Sequence, residues 1–272
     1  MAVVDRAQVL ITVKAAPEPS KTYIDTVCVA GIRLDGDAPS WIRLYPVPFR
    51  HLAGKNKFQK FHVIDVDVNL PRNDNRSESR RPVWESMTPQ GDPLSTRGRL
   101  PILEPMVTKT MCELEDDVVA DQRSQSLGLI RVAELDRLDV SPHPGWNDEQ
   151  KRIMADQLSQ PDLFGEVDRS PMIEAPRFIV HYRYRCTAVA CRGHGGRILD
   201  WELAALQYRL RRRSDEEMRR MIEQKFVTEK FRSGLAAHLF VGNYAHPTKR
   251  RHFSALGVWS PAEAQMRSQT LW

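Results

Sequence analysis

Three metal-ligand side chains lie close together in this chain, in the order Cys186-x4-Cys191-x2-His194. Zinc prefers thiolate and imidazole ligands, and a short glycine-containing turn brings such ligands within reach of one ion. A closed structural site needs a fourth ligand, and Cys112 is the best distant candidate. Two weaker candidates are His181 and Cys28. We therefore expect a structural zinc site; the alternative is that Cys186 is buried in the core beside a turn without metal.

Basic side chains concentrate between residues 177 and 252. This segment contains 17 Lys and Arg but only 7 Asp and Glu, which gives it a local net charge of +10 in a chain of net charge +5. Such a segment indicates a polyanionic partner, most often nucleic acid, because guanidinium groups grip phosphate oxygens. The alternative is a solvated helix surface. The predicted phosphate contacts are Arg183, Arg185, Arg211, Arg212, Arg213, Lys249, Arg250 and Arg251. Trp41 and Tyr45 share one face of a predicted strand and form a candidate base-stacking platform, unless Trp41 is buried.

Two carboxylates, Asp65 and Asp67, lie two positions apart on a predicted strand and therefore share a face. Together with a loop glutamate, Glu78 or Glu85, they would hold the divalent ion of a metal-dependent nuclease or other phosphodiester enzyme. The lysine of a PD-(D/E)xK arrangement does not follow. The sequence also lacks a Gly-rich phosphate loop and the GxSxG, HExxH and HxE…CxxC patterns. These absences favour a binding protein over the well-known enzyme classes, and they leave catalytic residues unassigned.

A short peptide motif occurs in the proline-rich segment of the chain. Gln160-Pro161-Asp162-Leu163-Phe164 resembles the QxDLF-type peptides with which bacterial repair and replication proteins dock on the DNA sliding clamp. In that mode Gln160 supplies amide hydrogen bonds, and Leu163 and Phe164 fill an apolar pocket. The alternative is that Leu163 and Phe164 pin the segment to the protein's own core.

The elements that must position these side chains are mostly strands. Apolar and polar residues alternate from Phe178 to Cys186, which predicts a strand with one apolar-aromatic face and one largely basic face. Asp200 is predicted to open a helix, and Ser214 with Glu217 forms the capping box of the next one. Further β-rich runs, separated by short turns, occupy residues 8–13, 26–34, 41–45, 58–70, 101–109, 126–140, 239–243 and 253–259.

Strands without βαβ alternation indicate small barrels or sandwiches. We predict an α+β protein with two small β-barrel (OB-like) units and a helical pair near the C-terminus. The first unit is predicted at residues 1–99 and the second at 100–272. The second includes a linker at 141–176 with a helical patch around Asp148–Leu158, a Cys/His turn at 186–194 and helices at about 200–232.

Composition limits the class of protein and the cellular compartment that we expect. The chain has 272 residues, of which 41% are hydrophobic and 28% are charged, as is usual for a globular protein. No run of 18 apolar residues is present and the N-terminus lacks the features of a signal peptide, so we expect no membrane partner. Four unevenly spaced cysteines do not make a disulfide framework, which favours the reducing cytoplasm.

The order of the segments TVCVAGIRL, WIRLYPVPFR, the Cys/His turn, ILDWEL and LFVGN resembles a poorly characterised bacterial family with a dual OB-fold architecture. This resemblance covers most of the chain and brings no assigned active site. It implies two small β-barrels decorated by helices. OB-folds commonly bind single-stranded nucleic acid through a basic groove and aromatic platforms. We therefore expect a nucleic-acid-binding protein that acts in DNA repair, replication-associated or defence processes. A protein-interaction adaptor without a polyanionic ligand is the remaining alternative, because a fold does not fix a function.

Overall fold

The computed structural model describes residues 5–16, 26–49, 52, 54–72, 74–159 and 174–267. These residues form two antiparallel-rich sheets and six α-helices. The clamp-like motif at Gln160, Leu163 and Phe164 lies outside the described residues. None of the helices in the described part of the chain is both long and apolar enough to cross a membrane.

The first sheet closes into a five-stranded barrel. Its strands are β1 (Asp5–Lys14), β2 (Val27–Arg33), β3 (Ser40–Val47), β4 (Val63–Asn69) and β5 (Ser79–Pro82). A short strand, β6 (Thr88–Gln90), pairs antiparallel with β4. The strand order is β1-β2-β3-β5-β4, and β4 pairs back onto β1. The β3–β5 pair is parallel and the others are antiparallel. Strict alternation in β4 buries Ile64, Val66 and Val68 inside the barrel.

The second sheet repeats this connectivity. Its strands are β7 (Leu127–Pro142), β8 (Phe178–Cys186), β9 (His194–Arg197), β10 (His238–Asn243) and β11 (Phe253–Trp259). The order is β11-β10-β7-β8-β9, and a parallel bridge between Ile198 and Ala255 joins the end of β9 to β11. The α+β class with two OB-like barrel units is therefore confirmed.

The helices lie outside the sheets. They are α1 (Thr96–Leu103), α2 (Met111–Ala120), α3 (Asp148–Ser159), α4 (Trp201–Arg209), α5 (Asp215–Glu223) and α6 (Glu263–Arg267). The pair α4–α5 connects β9 to β10, as expected near the C-terminus. Asp200 caps α4 by accepting from the Glu202 amide, and the Ser214 hydroxyl accepts from the Glu217 amide at the start of α5.

The strand expected at residues 101–109 is wrong, because these residues continue α1 and then form a 3₁₀ turn, Glu104–Met106. Helix α1 contains Pro101 in its interior and buries Leu100 and Leu103. Helix α2 also escaped the pattern analysis. Its signals are the Thr110–Glu113 capping box and the spacing of Met111, Leu114 and Val118, which together are typical of a core-facing helix.

The two barrels share an apolar interface. Ala30 and Ile32 of β2 pack in one buried cluster with Leu127 and Phe240 of the second barrel. The Trp41 ring meets the Phe240 ring edge to face, with centroids 6.5 Å apart. The outer face of β2 and β3 is therefore covered by the second barrel.

Candidate metal centre and basic face

Four side chains converge at one end of the second barrel: Cys112, Cys186, Cys191 and His194. Their ligand atoms all lie within 4.8 Å of one another. The Cys112 and Cys186 sulfurs are 3.7 Å apart, and His194 Nε2 lies 3.4 Å from the Cys112 sulfur and 3.2 Å from the Cys191 sulfur. Tetrahedral zinc with three thiolates and one imidazole would space these atoms by about 3.5–3.8 Å. The four residues named from the sequence therefore form a cluster that could hold a metal ion.

Two elements position the ligands. Cys186 ends β8 and His194 begins β9, and the intervening turn holds Cys191 by a bond from its amide to the Ala188 carbonyl, at 3.1 Å. Gly193 adopts a φ of +98° in this turn, a conformation that residues with a Cβ rarely adopt. Cys112 arrives from α2, which packs so closely on β7 that a Cβ on Gly128 would lie 2.7 Å from Leu114.

His194 has a carboxylate behind it. Its Nδ1 lies 3.3 Å from the Glu115 carboxylate, while Nε2 faces the sulfurs. Burial alone would lower the pKa of His194, but Glu115 and the neighbouring cysteines raise it to about 9. A histidine that ligates a metal usually donates its other N–H to such a group, which fixes the ring orientation. Glu115 was not predicted, although it lies three residues after Cys112 on the same helix.

The thiol pKa values diverge within the cluster. Burial raises the pKa of Cys112 to about 12, and the adjacent Cys186 sulfur adds to this shift. Burial also opposes ionisation of Cys186, but backbone amides of Ala188 and Cys112 and the His194 side chain lower its pKa to about 6. Of these two thiols, Cys186 is the better prepared to act as a thiolate ligand.

Asp65 and Asp67, the predicted metal ligands of a nuclease, form ion pairs with an arginine. Arg6 lies between them, with its guanidinium 3.6 Å from Asp65 and 3.0 Å from Asp67. Glu78 is buried in another contact, where it accepts from the Ser126 amide at 2.7 Å. Within the described ranges, the Cys/His cluster is the one group of three or more residues with metal-ligand geometry. Among the described residues, Asp65 and Asp67 therefore hold Arg6, and Glu78 lies in a separate contact with Ser126.

The basic face predicted for β8 is half-buried at Ile179, His181 and Arg183 and exposed at Arg185. Phe178, Val180, Tyr182, Tyr184 and Cys186 point into the core, so the tyrosines of this strand cannot stack on bases. Arg183 and Arg185 point outward with 44% and 56% of their side chains exposed. A Cβ on Gly195 of β9 would collide with the Arg183 guanidinium, so this glycine gives the arginine room to lie across the strand.

Acidic residues of β7 accompany these arginines. Asp139 accepts from Arg183 at 2.7 Å and from Arg137 at 2.8 Å. Asp136 lies 3.8 Å from Arg185. Exposed pairs of this kind contribute only about 0–1 kcal/mol each. A phosphate group can therefore compete with the carboxylates for the same arginines.

The remaining predicted contacts differ in accessibility. Arg211, Arg212 and Arg213 are exposed at the junction of α4 and α5, and Arg211 lies 4.1 Å over the exposed Tyr208 ring. Lys249 and Arg251 are exposed in the β10–β11 loop. Arg250 is only 2% exposed and donates to Asn75 of the first barrel at 2.6 Å. Its predicted phosphate contact is wrong for this conformation, because Arg250 joins the loops of the two barrels.

The two residues of the predicted base-stacking platform differ in accessibility. Tyr45 is 37% exposed. Trp41 packs on Phe240 at the interface between the barrels, so it is not available as a base platform. Between them on the strand, Arg43 is buried and donates to the Ser126 carbonyl at 3.2 Å.

A comparison with known families divides the chain into two parts. Residues 107–271 match the family model described as a domain of unknown function (DUF8757). The chain belongs to the DUF8757 family. In this DUF8757 member, residues 5–104 match a second model, also described as a domain of unknown function (DUF8758). No curated protein matches the chain.

Proposed function

We propose that this protein binds nucleic acid across the exposed face of β7, β8 and β9. The observation that carries the proposal is a difference between the two barrels. The outer face of β2 and β3 in the first barrel is buried against the second. The corresponding face of β8 and β9 presents Arg183 and Arg185 to solvent. In OB-folds this face and its flanking loops are the usual oligonucleotide site.

A cleft of about 260 Å³ extends this face toward the helical pair. Its lining includes Ile179 and Arg197 from the sheet and Tyr208 and Arg211 from the helical region. An exposed tyrosine with a stacked guanidinium offers a surface for an unpaired base, and the arginines offer phosphate contacts. This arrangement favours a single strand as the ligand.

Binding across a salt series tests the proposal. Fluorescence anisotropy with labelled single- and double-stranded DNA and RNA should give affinities that fall steeply with salt. Each phosphate contact contributes about 0.7 to the logarithmic salt slope for a single strand. The double variant Arg183→Ala with Arg185→Ala should bind more weakly and with a slope shallower by about 1.4. The matched control Arg97→Ala with Arg123→Ala removes two exposed arginines elsewhere and should leave both values unchanged.

Absence of binding to all four nucleic acids at low salt would refute the proposal and leave the adaptor hypothesis. Equal binding by the double variant and the wild type would refute the assignment to this face. The sliding-clamp peptide at Gln160, Leu163 and Phe164 stays a prediction, tested by pull-down with the clamp and loss on Leu163→Ala with Phe164→Ala.

For the Cys/His cluster we infer a zinc ion with a structural role. A donor set of three thiols and one imidazole is typical of structural zinc, in which protein ligands fill all four positions. Such an ion would tie α2 to the β8–β9 turn next to Arg185. A reducing, cytoplasmic setting belongs to this proposal, since thiolate ligands must stay unoxidised.

Elemental analysis of protein purified without chelators tests the zinc assignment. We expect one zinc per chain, lost together with thermal stability in Cys112→Ser, because binding free energy of a structural metal adds to folding free energy. Cys28→Ser, outside the cluster, is the control and should retain the metal. Wild-type protein without stoichiometric zinc would contradict the assignment.

A further inference from the structure

A cavity lies at the junction of the two barrels and is a different site from the β8–β9 face. We call it the seam cavity; it has a volume of about 270 Å³. Lys60, Phe61 and Arg99 line it from the first barrel and its following helix, and Glu202, Phe226 and Trp259 line it from the second. Domain junctions are preferred places for small-molecule sites, and a volume below about 300 Å³ limits the ligand to a small one.

Three carboxylates line the cavity, and two of them, Asp200 and Glu202, are paired with cations. Lys60 Nζ lies 3.0 Å from Asp200 and 3.4 Å from Glu202. Lys225 approaches the other oxygen of Glu202 at 3.6 Å. Burial alone would lower the pKa of Lys60, but Asp200 and Glu202 raise it. Lys60 therefore stays charged, and these two carboxylates are neutralised locally.

Arg99 is different, because no acidic side chain in the described part of the chain forms an ion pair with it. Its Nε donates to the Leu94 carbonyl at 2.7 Å, and its guanidinium carbon lies 3.6 Å over the Phe61 ring. Burial lowers the pKa of Arg99, with no charged neighbour contributing to the shift. Lys230 and Arg232 also line the cavity. The lining therefore holds four cations and three carboxylates, the third being Glu229, and its net charge is +1. Lys230 helps to lower the pKa of Glu202, whereas the charge of Arg99 stays available to a ligand.

The backbone beneath Arg99 is strained. Phe61 has a φ of +69°, which is an outlier for a bulky residue. Two backbone bonds hold it there, from the Phe61 amide to the Ile11 carbonyl at 2.6 Å and from the Leu94 amide to the Phe61 carbonyl at 2.8 Å. The strained residue supplies the ring on which the guanidinium rests. Strain of this kind persists where the surroundings impose it, and it concentrates at ligand sites.

We propose that the seam cavity binds a phosphate or phosphate-monoester group through the guanidinium of Arg99. A guanidinium held flat on an aromatic ring keeps its N–H fork free for two phosphate oxygens. Lys230 and Arg232 add charge at the same wall. The group has two sources, a free small phosphate compound or the 5′-phosphate end of a nucleic acid strand. The site does not depend on binding at the β8–β9 face.

Isothermal titration calorimetry at low salt tests the site with inorganic phosphate, a nucleoside 5′-monophosphate and the matching nucleoside. We expect saturable binding of the first two and none of the nucleoside. Arg99→Gln should weaken binding by about tenfold or more, because it removes a charge-assisted contact. The control Arg97→Gln, an exposed arginine two residues earlier on α1, should bind like the wild type.

A second pair of probes separates the two sources. An oligonucleotide with a 5′-phosphate is compared with the same oligonucleotide carrying a 5′-hydroxyl, in protein with Arg183→Ala and Arg185→Ala. A preference for the 5′-phosphate that Arg99→Gln abolishes supports the site with a strand end as its source. Binding of inorganic phosphate without that preference supports the site with a free compound as its source.

Two results would overturn the inference. One is no saturable binding of inorganic phosphate, the nucleoside monophosphate or the 5′-phosphate end; the other is equal affinity in Arg99→Gln and wild type. If Arg99→Gln does not fold, Arg232→Gln decides in its place, because Arg232 is an exposed residue of the same wall. Weaker phosphate binding by Arg232→Gln supports the site, and unchanged binding overturns it.

Discussion

The Lys60–Asp200 ion pair joins the two barrels and allows a quantitative test of how they are held together. The Lys60 side chain is 11% exposed and that of Asp200 is 3% exposed. Asp200 also caps α4 through its other oxygen, which accepts from the Glu202 amide at 3.0 Å. Asp200→Asn keeps an acceptor for this cap and removes the charge. The substitution therefore isolates the effect of leaving Lys60 without its nearest partner.

The expected cost follows from the geometry. Two unit charges 3.0 Å apart attract by about 5–6 kcal/mol at an effective dielectric constant of about 20. Removing one member of a buried pair costs about 3–5 kcal/mol in practice. Glu202 remains 3.4 Å from Lys60, so we expect the lower end, about 3 kcal/mol. In a protein of this size that corresponds to a fall in Tm of about 6–12 °C.

Urea unfolding of four proteins checks this value: wild type, Asp200→Asn, Lys60→Met and the double variant. The double variant should recover much of the loss, because it leaves neither member of the pair buried without the other. Asp148→Asn removes a carboxylate from an exposed ion pair with Lys151 and should change stability by less than about 0.5 kcal/mol. A loss below about 1 kcal/mol in Asp200→Asn, or no recovery in the double variant, would refute the reasoning.

Two further predictions concern histidines. Glu115→Gln should weaken metal affinity by about 10–100-fold, because it disturbs the group that orients His194. Competition with a chromophoric chelator measures this affinity, and Asp116→Asn, an exposed position on the same helix, is the control. Equal affinities of Glu115→Gln and the wild type would contradict the prediction. Burial lowers the pKa of His238 to about 4, against an ordinary value of 6.5. The unfolded chain therefore binds more protons between these values, and stability should fall by about 3 kcal/mol as pH drops from about 6.5 to 4. Urea unfolding across this range should show a shallower fall in His238→Gln, and identical pH profiles would exclude the histidine as the cause.

Local pattern was sufficient for the strand that carries the basic face. A strand places successive side chains on opposite faces, so the alternation from Phe178 to Cys186 already predicted which residues are buried. The three ligands in the Cys186–His194 turn were likewise visible, because they lie within nine residues. The caps at Asp200 and Ser214 depend on a few neighbouring residues and were predicted for the same reason. Helix α2 was missed even though its capping box and apolar spacing are local signals.

Contacts between distant residues were decided by the tertiary structure. Cys112 was one of three candidates for the fourth ligand, and only the packing of α2 on β7 brings it and Glu115 to the turn. Trp41 and Arg250 have the residue types of a nucleic-acid surface, yet both are covered where the barrels meet. Periodicity predicts that a side chain points outward from one barrel. It does not predict whether that side chain contacts water or a second barrel. That outcome depends on contacts such as Arg250–Asn75, which join residues 175 positions apart.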